Sequence, residues 1–193
     1  MKSEDVGKTD KSGKSSTRTL YLVICALMVA LTFVVTFFIN IPAAFILGAG
    51  GNINLGDTII FVAAAVLGPV GGAIAGGLGS MIADLASSYV IYAPFTLIVK
   101  GCEGLLCGFL CRYAFKGVRP IVRRIIAMVL AVALLVVGYF FAEMAVGAIS
   151  GVTSFTALLI MGLRTLVPNL VQGVTSAAIA LIVLPRVPDI YFK

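Results

Sequence analysis

The chain has 193 residues, 61% of them hydrophobic and only 11% charged, with a net charge of +6 and a mean hydropathy of +1.14. A soluble domain of this size has too much exterior to cover with so few polar groups, so the chain reads as an integral membrane protein. The sequence has no His and no Trp, which removes histidine-based hydrolysis, histidine metal sites and histidine proton relays.

The first segment, residues 1–18, is rich in Lys, Ser, Thr and Gly, a composition that predicts a disordered basic tail. Gly7-Lys8-Thr9 and Gly13-Lys14-Ser15 imitate the end of a phosphate-binding loop. The Gly required five positions earlier is missing, because Lys2 and Lys8 stand there. The tail is too long and mixed for the leading region of a secretory signal, and no small-residue cleavage site follows it. ATP, if used, has to be bound by another chain.

Residues 19–193 are predicted to form a membrane domain. Stretches such as 20–39 and 125–141 carry no charge and are long enough to cross about 30 Å of hydrocarbon as helices. Their apolar runs do not alternate with period two, which argues against a membrane β-barrel. Positive clusters stay on the cytoplasmic side. There are three: the tail with Arg18, then Arg112, Lys116, Arg119, Arg123 and Arg124, then Arg186 with Lys193. The roughly 92 residues between the first two suit four crossings, and the roughly 60 between the last two suit a further pair. The expected fold is therefore all-α, with six transmembrane helices and both termini cytoplasmic.

In chain order the predicted spans are 19–39, 56–67, 70–88, 93–114, 122–146 and 162–184. They are separated by breaks such as Pro42, Gly68-Pro69 and Pro185. Residues 56–88 read alternatively as one kinked helix, which would put the Arg112 cluster outside. Segments 40–55, Gly-rich with three Asn, and 147–161, without charge, are expected as outer loops. Cys25, Cys102, Cys107 and Cys111 all fall in apolar segments without metal-ligand spacing, so they are expected as reduced packing residues and no metal site is expected.

Charges at membrane depth normally pair or face a cavity. Asp57, Asp84, Lys100, Glu103, Glu143 and Arg164 are of this kind, and Lys100, Glu103, Glu143 and Arg164 are predicted in the outer half of three spans. Lys100 and Glu103, spaced i, i+3, are either an ion pair within one helix or part of a polar pocket. Asn169 and Gln172 share that spacing and are either glue between helices or ligand contacts. Two cations and two carboxylates near the pocket suit a neutral or zwitterionic ring, with Tyr89, Tyr92 and Tyr139 available to stack on it. Small residues repeat every fourth position at Gly68, Gly72, Gly76 and Ser80, at Gly104 and Gly108, and at Ala26 and Ala30. Such stripes allow helix backbones to approach closely.

Gly56-Asp57-Thr58, the stretch 64–80, Ala83-Asp84-Leu85, Tyr92-Ala93-Pro94-Phe95-Thr96 and Lys100-Gly101-Cys102-Glu103-Gly104 together resemble the substrate-binding S components of energy-coupling factor (ECF) vitamin transporters. Pro168-Asn169 with Gln172 is similar to the last-span region of the riboflavin and pyridoxine types, and the resemblance as a whole is to the riboflavin, pyridoxine and hydroxymethylpyrimidine subfamily. The resemblance covers the chain after residue 19. It implies capture of a vitamin or precursor from outside a bacterial plasma membrane, in a pocket between spans four to six capped by loop 40–55. It also implies a transmembrane T component, two cytoplasmic ATPase subunits, and Ala26 and Ala30 as the T-component contact. The candidate binding residues are Asn169, Gln172, Lys100, Glu103, Glu143 and Arg164. A small ring such as pyridoxine or hydroxymethylpyrimidine is favoured over riboflavin, since Gln172 stands where some riboflavin binders carry Lys. No cofactor, catalytic residue or nucleic-acid partner is expected. The rival classes are an enzyme using Asp84, Glu103 and Glu143, which lacks a nucleophile–base pair, and a small secondary transporter or channel built on a carboxylate such as Glu143.

Overall fold

The computed structural model describes residues 6–43 and 51–187, with side chains from residue 18 onward. Lys2, Lys193 and the middle of the 40–55 loop lie outside the described residues. The elements in order are α1 (Val6–Phe38), β1 (Asn40–Pro42), β2 (Asn52–Asn54), α2 (Gly56–Leu85), α3 (Ala93–Arg112), α4 (Pro120–Ile149) and α5 (Phe155–Val183), with short 3-10 turns at Val90–Tyr92 and Leu184–Arg186. Five helical segments within these bounds are long and apolar enough to cross a membrane. Large apolar side chains such as Leu22, Phe38, Val129, Phe141 and Ile182 stand exposed around the bundle, an arrangement stable in lipid rather than in water.

α2 is a helix folded back on itself. Gly68 has φ 81° and ψ −168°, a left-handed backbone that ends the first arm, and Pro69 opens the second with its φ already set. A β-carbon placed on Gly72 would stand 2.8 Å from Ala64 Cα. In a straight helix, residues eight apart are separated by about 12 Å, so arms 56–67 and 69–85 lie side by side. The Arg112 side chain covers the bend.

The glycine stripes make the tightest seam in the molecule. A β-carbon on Gly72 would meet the Gly104 carbonyl oxygen at 2.6 Å, and one on Gly108 would meet Pro69 N at 2.6 Å. The second arm of α2 and α3 therefore pack backbone to backbone, antiparallel, and the stripes serve packing within the chain. α1 lies along the same arm, where Gly79 abuts Thr32 and the Val29 carbonyl. Cys25, Cys107 and Cys111 are buried and Cys102 is exposed, all as free thiols.

Three boundaries differ from expectation. The α1 backbone is helical from Val6, ahead of the predicted span start at residue 19; the apolar span supplies a nucleus from which helix propagates backward. Loop 147–161 shrinks to residues 150–154, because α4 continues to Ile149 and α5 starts at Phe155. The uncharged flanks favour helix, the turn comes from Gly151 at φ 95°, and Ser154 caps α5 by accepting from Ala157 N at 3.5 Å. Loop 40–55 contains an antiparallel hairpin pairing Asn40 with Asn54, Ile41 with Ile53 and Pro42 with Asn52.

Candidate functional site

Arm 56–67 is short, about 18 Å at 1.5 Å per residue, and the space above its N-terminus is roofed by the β1–β2 hairpin. A cavity of about 290 Å³ lies there, near the lower end of ligand-pocket sizes. Thr36 of α1, Asn52 and Asn54 of the hairpin, Thr96 of α3, Tyr139 and Glu143 of α4, and Asn169 and Gln172 of α5 all reach it, so almost every element contributes.

Beneath the cavity is a buried ionic cluster. Lys100 pairs with Asp57, and its Nζ is also 3.4 Å from Glu103 Oε2, though without hydrogen-bond geometry, so both Glu103 oxygens lack a hydrogen-bond partner. All three residues are at most 2% exposed. Such charges persist in a low-dielectric interior only while paired. Asp57 also stands in the first turn of α2, where the helix dipole favours a negative charge. Gln172 ties this cluster to the roof: its Nε2 donates to Asp57 Oδ2 at 2.8 Å, and its Oε1 accepts from the Asn54 backbone N–H at 2.9 Å.

Tyrosines form the side walls, each hydroxyl held by a neighbour. Tyr139 donates to Thr96 Oγ1 at 3.1 Å, Tyr92 to Glu143 Oε2 at 2.9 Å, and Tyr89 to Asn52 Oδ1 at 3.2 Å. Lys100 Nζ lies 5.4 Å from the Tyr139 ring centroid. Two lining oxygens are buried without a partner among the described residues, Thr36 Oγ1 and Asn40 Oδ1. Buried polar atoms of this kind call for a ligand or water to satisfy them.

Residues 15–187 match the family described as ECF-type riboflavin transporter, S component. The chain belongs to that family. An S component is a transporter subunit, so the enzyme reading falls away. Among similar proteins, an uncharacterized protein of Pyrococcus woesei is 37% identical over 106 residues, 55% of this chain and 66% of that protein. The thiamine precursor transporter HmpT of Lactococcus lactis subsp. cremoris (strain MG1363) is 38% identical over 93 residues, 48% of this chain and 54% of that protein. The chain thus spans less than two thirds of the length of either relative.

The residues singled out in this S component divide into three groups. Glu143, Asn169 and Gln172 line the cavity. Lys100 and Glu103 lie under it, and their i, i+3 pairing is joined by Asp57 from α2. Arg164 is exposed and does not line the cavity, standing about a quarter turn around α5 from the buried Thr165, Asn169 and Gln172. The expected balance of two cations and two carboxylates is not what lines the cavity: among the described residues its charged side chains are Asp84 and Glu143. Asp57 and the hairpin asparagines are additional members. The intramembrane charge of Asp57 and the three Asn in one Gly-rich loop were the available signals, but nothing in their spacing links them to residues more than a hundred positions away. Ala26 and Ala30 are both exposed on α1.

Proposed function

We propose that this protein is the vitamin-binding S component of an ECF-type, ATP-driven importer, and that the cavity under the β1–β2 hairpin captures a small heteroaromatic vitamin precursor from outside the cell. The carrying observation is that cavity of about 290 Å³, walled by three tyrosines in a chain of this family. Counting both arms of α2 as crossings gives six transmembrane helices, with both termini and the Arg112 cluster on the cytoplasmic side of a bacterial plasma membrane.

Asn169 is the direct polar contact in this reading: it is 8% exposed and lines the cavity. Gln172, with both ends of its amide engaged, holds the roof to the floor. Lys100 and Glu103 support that floor and Glu143 borders the ligand, while Arg164 stays outside the binding set. A single substituted ring such as hydroxymethylpyrimidine or pyridoxine suits the volume better than riboflavin with its fused rings and sugar-like chain. The relative named as a thiamine precursor transporter supports the same preference.

Ala26 and Ala30, exposed one turn apart, provide a small-residue strip against which a T component can pack, and two ATPase subunits complete the importer. Mass spectrometry of the ligand carried through purification, followed by calorimetric titration with hydroxymethylpyrimidine, pyridoxine and riboflavin, tests the proposal. Tight binding of a single-ring compound is expected. Binding of none of the three would overturn the vitamin assignment, and uphill uptake by the chain alone under a proton or sodium gradient would replace it with a secondary transporter.

A further inference from the structure

The charges around the cavity have one sign. Asp84, from the second arm of α2, and Glu143, from α4, line it, and among the described residues no Lys or Arg does. The nearest buried cation, Lys100, is already paired with Asp57 and Glu103 and sits behind the Tyr139 ring. Arg164 is exposed and absent from the lining. The floor cluster therefore has no positive charge left over, having two carboxylates for one ammonium. In a recessed site between helices such charges are screened less than at an open surface.

We infer that this cavity selects a ring carrying amino, ammonium or hydroxyl donors and excludes the phosphate ester of the same ring. The inference rests on the reading of the cavity as the vitamin site. Donor groups on the ligand find acceptors in the lining carboxylates of Asp84 and Glu143. A phosphate dianion would meet two carboxylates with no lining cation to pair with, a juxtaposition that costs binding free energy. Selection thus comes from repulsion as much as from attraction, and it favours the dephosphorylated form of a vitamin precursor.

The test uses the purified full chain in detergent and three matched pairs: hydroxymethylpyrimidine, pyridoxine and riboflavin, each against its own monophosphate. For whichever ring binds, calorimetry should show the phosphate ester at least a hundredfold weaker. Because the ester is also larger, the comparison is repeated with Glu143→Gln, which keeps an acceptor for the Tyr92 hydroxyl, and with Asp84→Asn, folding being checked by thermal unfolding. Each folded variant should narrow the gap about tenfold. Equal affinity for alcohol and ester, or a gap unchanged in both variants, overturns the inference while the vitamin reading stands. Failure of all three rings to bind overturns that reading and the inference with it.

Discussion

Asn169 and Gln172 are one turn apart on α5, yet their surroundings give them different work. Asn169 faces the cavity, so Asn169→Ala should weaken ligand binding by about 1–3 kcal/mol, roughly five- to more than a hundredfold, with little change in the unfolding midpoint; calorimetry and a thermal melt measure the two quantities. Gln172→Ala frees the Asn54 N–H and removes a partner from Asp57. Its expected signature is a lowered melting temperature together with faster ligand release, read by thermal unfolding and by dissociation kinetics. Lys100 is a third case. Lys100→Met would strand two buried carboxylates and should destabilise the fold by about 3–5 kcal/mol, and combining it with Asp57→Asn should recover part of that loss.

At the scale of the element, the seam between the second arm of α2 and α3 is governed by backbone contact. A side chain at Gly72 must displace the Gly104 carbonyl, so Gly72→Val should prevent accumulation of folded protein, as judged by size-exclusion chromatography in detergent. Gly117 has open space around its β-carbon position, and Gly117→Ala should elute as wild type. The exposed strip on α1 behaves oppositely to the glycine seam, since no described residue covers it. Ala26→Trp should leave ligand binding intact and abolish co-purification with a T component. Lost binding with retained assembly would mean that the strip packs within the chain.

Across the whole molecule, the folded-back α2 decides both topology and site. Its first arm ends short, and the hairpin above it closes the space that remains, so the cavity sits on one side of the bundle, away from the Arg112 side chain at the bend. Cysteine labelling from outside, in a Cys-free background, should modify a Cys introduced at Asn52 and spare one at Lys116. The reverse pattern would invert the orientation.

What the sequence determined by itself follows from solvation and local geometry. Long uncharged stretches required membrane helices, Gly68-Pro69 required a break, and the every-fourth glycines required a close helix contact, because each depends on residues near one another in the chain. The family motifs were legible for the same reason. What only the tertiary structure decided depends on long-range placement. Lys100 and Glu103 were visible as a helical pair, but their third partner, Asp57, is 43 positions from Lys100. Gln172 reads from sequence as either a ligand contact or glue between helices, and its partners Asp57 and Asn54, 115 and 118 positions away, hold its amide at the edge of the cavity. Depth and convergence in the sequence place Arg164 with the pocket residues, and in the bundle it is exposed and outside the cavity lining. Depth in a membrane span is written in sequence position, whereas the side of the helix that meets a neighbour is set by how the whole bundle packs.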